Sequence, residues 1–353
     1  MRRTRKRKAT SRPRPSRPAA GTGPRRHPRD PIERAARPEG PPSAPRPVNS
    51  VCVVGSINTD LAVRVPRPPA PGETLLGQDF SVSPGGKGAN QAVAAARAGA
   101  RVSMIGRTGD DAHGVSMRAV LRAEAIDCSG VTATPAAPTG VAFITVAASG
   151  ENTIVVSPGA NATLAPEDID ASAALVRAAA VTLMQLEVPI DAVRAAARRA
   201  RAAGRCVMLN AAPAVRLPDD LFALIHVLIV NQTEGAALAG RASRDEERVL
   251  RRLADRGPSC VVMTLGARGA VARIEGSLLR VPSPRVRVVD SVAAGDAFCG
   301  TLAADWPAVR TTDAVRAALR RACAAGALAA TRAGAIPSLP RRDEVDRLLA
   351  MER

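Results

Sequence analysis

The chain has 353 residues, and its 50 Lys and Arg against 32 Asp and Glu give a formal net charge of +18. So basic a balance suggests a nucleic-acid binder, but residues 1–49 alone hold 15 of the basic and three of the acidic residues, so the charge belongs mostly to one end. No run reaches the ~18 apolar residues of a membrane span, no apolar segment follows the N-terminal charges as in a secretory signal, and the six Cys form no CxxC pair, so they read as buried thiols in a reducing cytoplasm.

Residues 1–49 contain eleven Pro and almost no large apolar side chain. Such a stretch cannot bury enough surface to offset the entropy of ordering, and it is expected to be a disordered Arg/Pro-rich extension of a single domain over 50–353. Nucleic acid is not an expected partner. Order is expected from Val51 onward. A β-branched run over 51–56 reads as a buried strand ending in a turn, 60–65 alternates, and Pro and Gly break the pattern over 66–72. A second strand is predicted over 74–82. Gly85-Gly86-Lys87-Gly88 then opens an Ala-rich helix over 89–98, stopped by Gly99. A strand over 101–106, a helix over 114–125 and a hairpin of 141–147 with 152–156 follow.

From there helix and strand alternate. Strands are predicted over 181–184, 206–209, 227–230 and 260–264, and helices over 167–179, 191–203, 234–239 and 245–256. That alternation implies right-handed βαβ units, hence an α/β fold: a doubly wound, mostly parallel sheet between two helical layers. The segments 59–84 and 139–158 are expected to form a small second sheet, a lid over the crevice at the carboxyl ends of the strands.

Three local patterns point to chemistry. Asp290-Ser-Val-Ala-Ala-Gly295-Asp296 leads into a helix, where outward-pointing amides bind anions and an Asp can accept a hydroxyl proton; alone it reads equally as a capping Asp. Pro84-Gly-Gly-Lys-Gly-Ala-Asn90-Gln91 lacks the P-loop spacing but allows close backbone approach to a ligand, and Lys87 is the only Lys after residue 8. Gly55-Ser-Ile-Asn58-Thr59-Asp60 places an Asn and an Asp directly after a buried strand, where they suit a polyol or an Asx turn.

Together these patterns resemble the ribokinase-like (PfkB) carbohydrate kinases, from Val51 to about Leu349. The resemblance continues through PGE at 71–73, TGDD at 108–111, GANA at 159–162, MQLE at 184–187, NAAPA at 210–214, NxxE at 231–234 and TLGxRG at 264–269. The GGKGANQ and MQLE elements are those of its ribose-phosphorylating branch. It implies Mg-ATP-dependent phosphorylation of D-ribose at O5 with Asp296 as general base, and an anion hole at Ala294 and Gly295. The sugar would be held by Asn58, Thr59, Asp60, Gly86, Lys87, Gly88, Ala89, Asn90 and Glu187, besides Asp296. The nucleotide would lie on Asn231, Thr264, Leu265, Gly266, Ala267, Arg268, Gly269, Gly295, Asp296 and Cys323, with Glu234 organising Mg²⁺ through water. A monovalent cation such as K⁺ would sit at Asp290, Val292, Ala329, Arg332, Gly334 and Ser338, and the lid strands would pair two copies into a homodimer. Ser291, Ala294, Cys299 and Cys323 depart from the commonest family residues, Cys323 beside the expected adenine site. A sister kinase acting on deoxyribose, another pentose or a nucleoside is the alternative, and a catalytically inert sugar sensor would be expected to lack Asp296.

Overall fold

Alternate residues of one short strand feed two separate cores. In β1 (Ser50–Val54), Val51 and Val53 join one apolar layer while Cys52 and Val54 join the other, as a period of two requires in a sheet covered on both faces. The computed structural model describes residues 49–149, 152–240, 245–306 and 311–351. The predicted extension, apart from Asn49, lies outside the described residues; the Asn49 carbonyl accepts from Arg101 N at 2.8 Å.

After β1 come β2 (Asn58–Val65), β3 (Gln78–Gly85), α1 (Lys87–Arg97), β4 (Arg101–Gly109), α2 (Ala112–Ala123), β5 (Asp127–Thr134), β6 (Gly140–Ala147) and β7 (Asn152–Ser157). The alternating part runs α3 (Pro166–Ala171), α4 (Ala173–Ala178), β8 (Val181–Met184), α5 (Ile190–Ala202), β9 (Cys206–Asn210), α6 (Asp219–Phe222), β10 (Val227–Asn231), α7 (Gln232–Leu238), α8 (Glu246–Ala254) and β11 (Cys260–Thr264). A hairpin of β12 (Ala270–Ile274) and β13 (Ser277–Val281) precedes α9 (Ala294–Asp305), α10 (Thr312–Ala329) and α11 (Arg342–Met351).

Among the described residues one sheet has nine strands in the order β13-β12-β11-β10-β9-β8-β1-β4-β5, parallel except for the β12–β13 hairpin at its edge. One face packs on α1, α9 and α10 through Val93, Leu302 and Leu319, the other on α4, α5 and α8 through Val176, Val193 and Leu250. The lid is a separate four-stranded sheet, β3-β2-β6-β7, in which the outer pairs are antiparallel but β2 and β6 run parallel. None of the described helices is long and apolar enough to cross a membrane.

Most element boundaries shift by one to three residues from expectation, and three differences have a clear physical cause. The strand predicted over 74–82 lies at Gln78–Gly85, because pairing with β2 sets its register from Asn58↔Gly85, while Leu76 finds no packing face and is exposed. The helix predicted over 167–179 breaks at Ser172, leaving α3 to pair Asp168 with Arg107 on β4 at 2.8 Å. The helix predicted from 245 begins one residue later, with Asp245 as its cap accepting from Arg248 N at 3.1 Å.

Candidate active site

The expected site residues cluster at the carboxyl ends of the parallel strands. Asn58 and Asp60 follow β1, Glu187 follows β8, Asn210 ends β9, and Asn231 and Thr264 are register partners at the ends of β10 and β11. Strand order therefore sets the expected nucleotide residues near the expected sugar residues, in the crevice where open α/β sheets bind ligands.

The start of α1 is built by close backbone approach. Gly86 has φ 89°, and a Cβ there would lie 2.6 Å from Asn58 N; one on Gly88 would lie 2.6 Å from the Ser56 backbone. This contact seats Glu187 against the turn: its Oε2 accepts from Ser56 Oγ at 2.6 Å and from Lys87 N at 3.2 Å, and its Oε1 lies 4.0 Å from Lys87 Nζ. Asn58 is no Asx turn. It opens β2, and its Oδ1 accepts from Asn161 Nδ2 at 2.7 Å, while Asn161 closes on the backbone of Ile57. Ser56 and Asn161 thus support the site, although sequence reasoning gave them no role. Their signal was a polar residue beside Gly in the GSIN and GANA stretches.

Asp296 stands in the first turn of α9, yet it does not cap that helix. The cap position is Ala293, held left-handed at φ 58°, and no side chain accepts there. The Asp296 carboxylate instead accepts from Asn90 Nδ2 at one oxygen and from Gln91 Nε2 at the other, each at 2.9 Å. Asn90 Oδ1 is buried and has no hydrogen-bond partner among the described residues. The first-turn amides of Gly295 and Asp296 have no helical carbonyl to meet, and the space beside Gly295 is open. The Ala294 carbonyl abuts Gly326 on α10, one turn after Cys323, which is a buried thiol pushed up to about 12 by burial.

Charge is concentrated here. Burial, then the negative charges of Glu187 and Asp296, push the Asp60 carboxyl up to about 7, with Lys87 pulling the other way. Burial opposes the charge on Lys87, but Asp296, Glu187 and Glu234 outweigh it and hold its ammonium above the ordinary lysine value. Burial also raises Glu234, against the hydrogen bond from Asn231 N and the charge of Lys87. Asn231 and Glu234 cap α7 reciprocally, at 2.8 and 2.7 Å.

Of the expected cation residues, Asp290, Val292 and Gly334 meet. Asp290 accepts from Val292 N and Gly334 N, each at 3.0 Å, which joins the 290–292 turn to the segment after α10. Arg332 points its guanidinium at Glu344, the Ser338 hydroxyl is spent on the Ala335 carbonyl at 2.7 Å, and the Ala329 carbonyl accepts from Arg332 N at 3.2 Å. A carboxylate with carbonyls suits a hard cation. A cavity of about 380 Å³ under the lid is lined by both Asp60 and Asp290. In the 264–269 turn, Leu265 N donates to Gly269 O at 2.8 Å, while Arg268 pairs with Glu246 at 2.8 Å. Among the described residues no group of three or more His, Cys, Asp or Glu is arranged to hold a metal.

The pattern of the pfkB family carbohydrate kinases matches residues 48–342. The ribokinase of Haemophilus influenzae is 39% identical over 298 residues, spanning 84% of this chain and 96% of that protein. The deoxyribokinase of Salmonella typhi is 34% identical over 305 residues, spanning 85% and 99%. The structure of Arabidopsis thaliana ribokinase complexed with ribose and ATP superposes with a TM-score of 0.78 at 31% identity, covering 86% of this chain and 99% of that one. With a shared fold and so extended a match, the chain belongs to the pfkB family of carbohydrate kinases.

Proposed function

We propose that this carbohydrate kinase transfers the γ-phosphoryl group of ATP to O5 of D-ribose, giving D-ribose 5-phosphate and ADP. The observation that carries the reading is the single carboxylate of Asp296, held by two side-chain amides beside the open first turn of α9. A hydroxyl placed against that carboxylate can give up its proton as it attacks phosphorus, while the amides of Gly295 and Asp296 receive the charge on the transferring group; the expected third donor, Ala294 N, instead donates to the Ser291 carbonyl at 3.3 Å. The unpartnered Asn90 Oδ1 is an acceptor for a sugar hydroxyl, and Asp60 and Glu187 supply further ones. Glu234 would hold Mg²⁺ through water, the ion supplying charge neutralisation at the phosphates, and the 290–292 turn with the 329–338 segment would hold K⁺, which would stiffen the loop leading to the anion hole.

The kinase domain is read as 50–353, with the lid over 59–84 and 139–158. A panel of ribose, 2-deoxyribose, other pentoses, fructose and nucleosides with Mg-ATP, read as ADP release, tests this on the full chain and on residues 48–353. Ribose should be turned over fastest by both, and faster in potassium than in sodium-only buffer. Preference for 2-deoxyribose or a nucleoside would overturn the substrate, and equal rates in the two buffers the cation.

The lid supports a homodimer. Val82, Leu61, Phe143 and Val155 form one cross-strand row on the face opposite Asp60, and Val82, Phe143 and Val155 are exposed. Light scattering should give a dimer, and Phe143→Asp should give a monomer; a monomeric wild type would refute the assignment.

Asp60 carries a cost of this design. In the unfolded chain it ionises near its ordinary value, so the folded protein loses stability as pH rises from about 4 through about 7. Asp60→Asn removes that loss. Without sugar the variant should melt above wild type at pH 8, by the equivalent of roughly 2–4 kcal/mol, and by less at pH 5. It should also lose most of its sugar affinity. Thermal melts showing equal gains at the two pH values would contradict the assignment of the buried charge.

A further inference from the structure

Asp296 is the end of a chain of buried amides that runs through Gln91 to Gln185, just past the end of β8. Gln91 donates from Nε2 to Asp296 Oδ1 at 2.9 Å and to Asn210 Oδ1 at 3.0 Å, and its Oε1 accepts from Gln185 Nε2 at 2.6 Å. Gln91 and Gln185 are both 0% exposed. Tight packing holds the chain in register. Gly300, one turn beyond Asp296, abuts α1 so closely that a Cβ there would lie 2.5 Å from Gln91 O. Gln185 lies against Gly55, where a Cβ would fall 1.9 Å from Gln185 Oε1.

The direction of these bonds is dictated from one end. A carboxylate only accepts, so Gln91 has to turn its NH₂ group toward Asp296. Its Oε1 then faces away and, at full burial, needs a donor. Gln185 Nε2 is that donor. A carboxamide fits the same space in either of two orientations. Without Gln185, Gln91 Oε1 would be left buried and unpaired, and any rotation that carried it to another donor would pull the Gln91 NH₂ away from Asp296 and Asn210 and let the carboxylate swing out of line with the hydroxyl.

We propose that Gln185 is a positioning residue for phosphoryl transfer: through Gln91 it fixes the orientation of Asp296, so that a lone pair of that carboxylate stays aimed at the sugar hydroxyl. The inference rests on the reading of Asp296 as the proton acceptor. It separates Gln185 from Glu187, two residues on, whose carboxylate faces Ser56 and Lys87. A merely structural Gln185 would affect folding and leave the chemical step alone.

The test is a kinetic double-mutant cycle. Gln185→Met keeps the length and removes the donor. It should lower kcat about 10-fold or more, as misplacement of a reacting group does, with KM for ribose and for ATP within about twofold of wild type. Gln91→Met should lose at least as much, and the double variant should be no worse than Gln91→Met alone, because the connection is already cut. A Gln185→Met enzyme with kcat within about twofold of wild type, or losses that multiply in the double variant, would overturn the proposal. If the Met variant does not fold, Gln185→Glu keeps the shape but accepts where Gln185 donates. Lost turnover in a folded Glu variant supports the role; normal turnover, or failure of both variants to fold, assigns Gln185 to the core and overturns it. Asp296→Asn run in parallel separates the two claims. If that variant stays active, the reading of Asp296 fails whatever Gln185 does; if it is inactive while Gln185→Met is normal, only the positioning role falls.

Discussion

Replacing Asp296 with Asn is expected to lower turnover roughly 10²- to 10⁴-fold, the range for loss of a general base. The change is nearly isosteric, but it is not silent for the fold. Both carboxylate oxygens accept from amide NH₂ groups, those of Asn90 and Gln91. An Asn in this place turns its own NH₂ against one of them, and that buried mismatch should cost about 1–3 kcal/mol of stability. Ribose binding should persist, since Asn58, Asp60 and Glu187 are untouched. The competing account, in which Asp296 serves only the start of the helix, predicts nearly normal turnover, because Asn caps as well as Asp. The cap position belongs to Ala293 and the carboxylate faces α1, so geometry favours the first account. Turnover and a thermal melt on one preparation decide between them. A folded Asn variant keeping more than about a tenth of wild-type turnover would remove Asp296 from the mechanism.

What the sequence made legible was backbone that only particular residues can form. Gly86 and Gly88 announced a close approach because any side chain there collides with the 56–58 backbone. The β8, β10 and β11 strands could be read because apolar runs buried on both faces leave no other place in a chain of this kind. Other elements carried no such mark. In β5 (Asp127–Thr134) one residue in every few is buried, and it lies in the sheet through pairing with β4. The β12–β13 hairpin carries Arg273 and Arg280 among its apolar positions and is fixed by the neighbouring β11. The parallel pairing of β2 with β6 joins residues about 80 apart, beyond any local periodicity. The candidate site divides in the same way. Its single residues stood out, whereas the bonds among Gln91, Gln185 and Asp296 needed three distant segments in one place.

Lys87→Met is the second large effect, and it isolates charge from shape. The Met stem retains most of the aliphatic length of Lys, so the packing of α1 on β1 should survive. What disappears is the one ammonium that offsets Asp60, Glu187, Glu234 and Asp296, each of which interacts with it. Into this acidic corner the reaction brings a triphosphate. Without Lys87 the approach of that charge is opposed, and the charge developing on the transferring group loses a fixed positive partner. The expected loss is roughly 10²- to 10³-fold in kcat/KM for ATP, the size found when one preorganised electrostatic contact to a transition state is removed. It should fall on kcat as well as on KM, since an ammonium that neutralises the triphosphate would act both on bound nucleotide and on the transferring phosphoryl group. A different outcome follows if Lys87 serves only to pair with Glu187. Their separation is 4.0 Å and the Lys side chain is one-third exposed, so such a pair would contribute at most about 1 kcal/mol. Loss of that pair would leave kcat/KM within about tenfold of wild type, and steady-state kinetics at saturating ribose with varied ATP would show it. Lys87→Arg is no rescue in advance, because its planar fork presents donors in another geometry. A Met variant within tenfold of wild type would therefore reduce Lys87 to a structural partner and leave the neutralising charge to be found elsewhere, in the Mg²⁺ that accompanies the nucleotide.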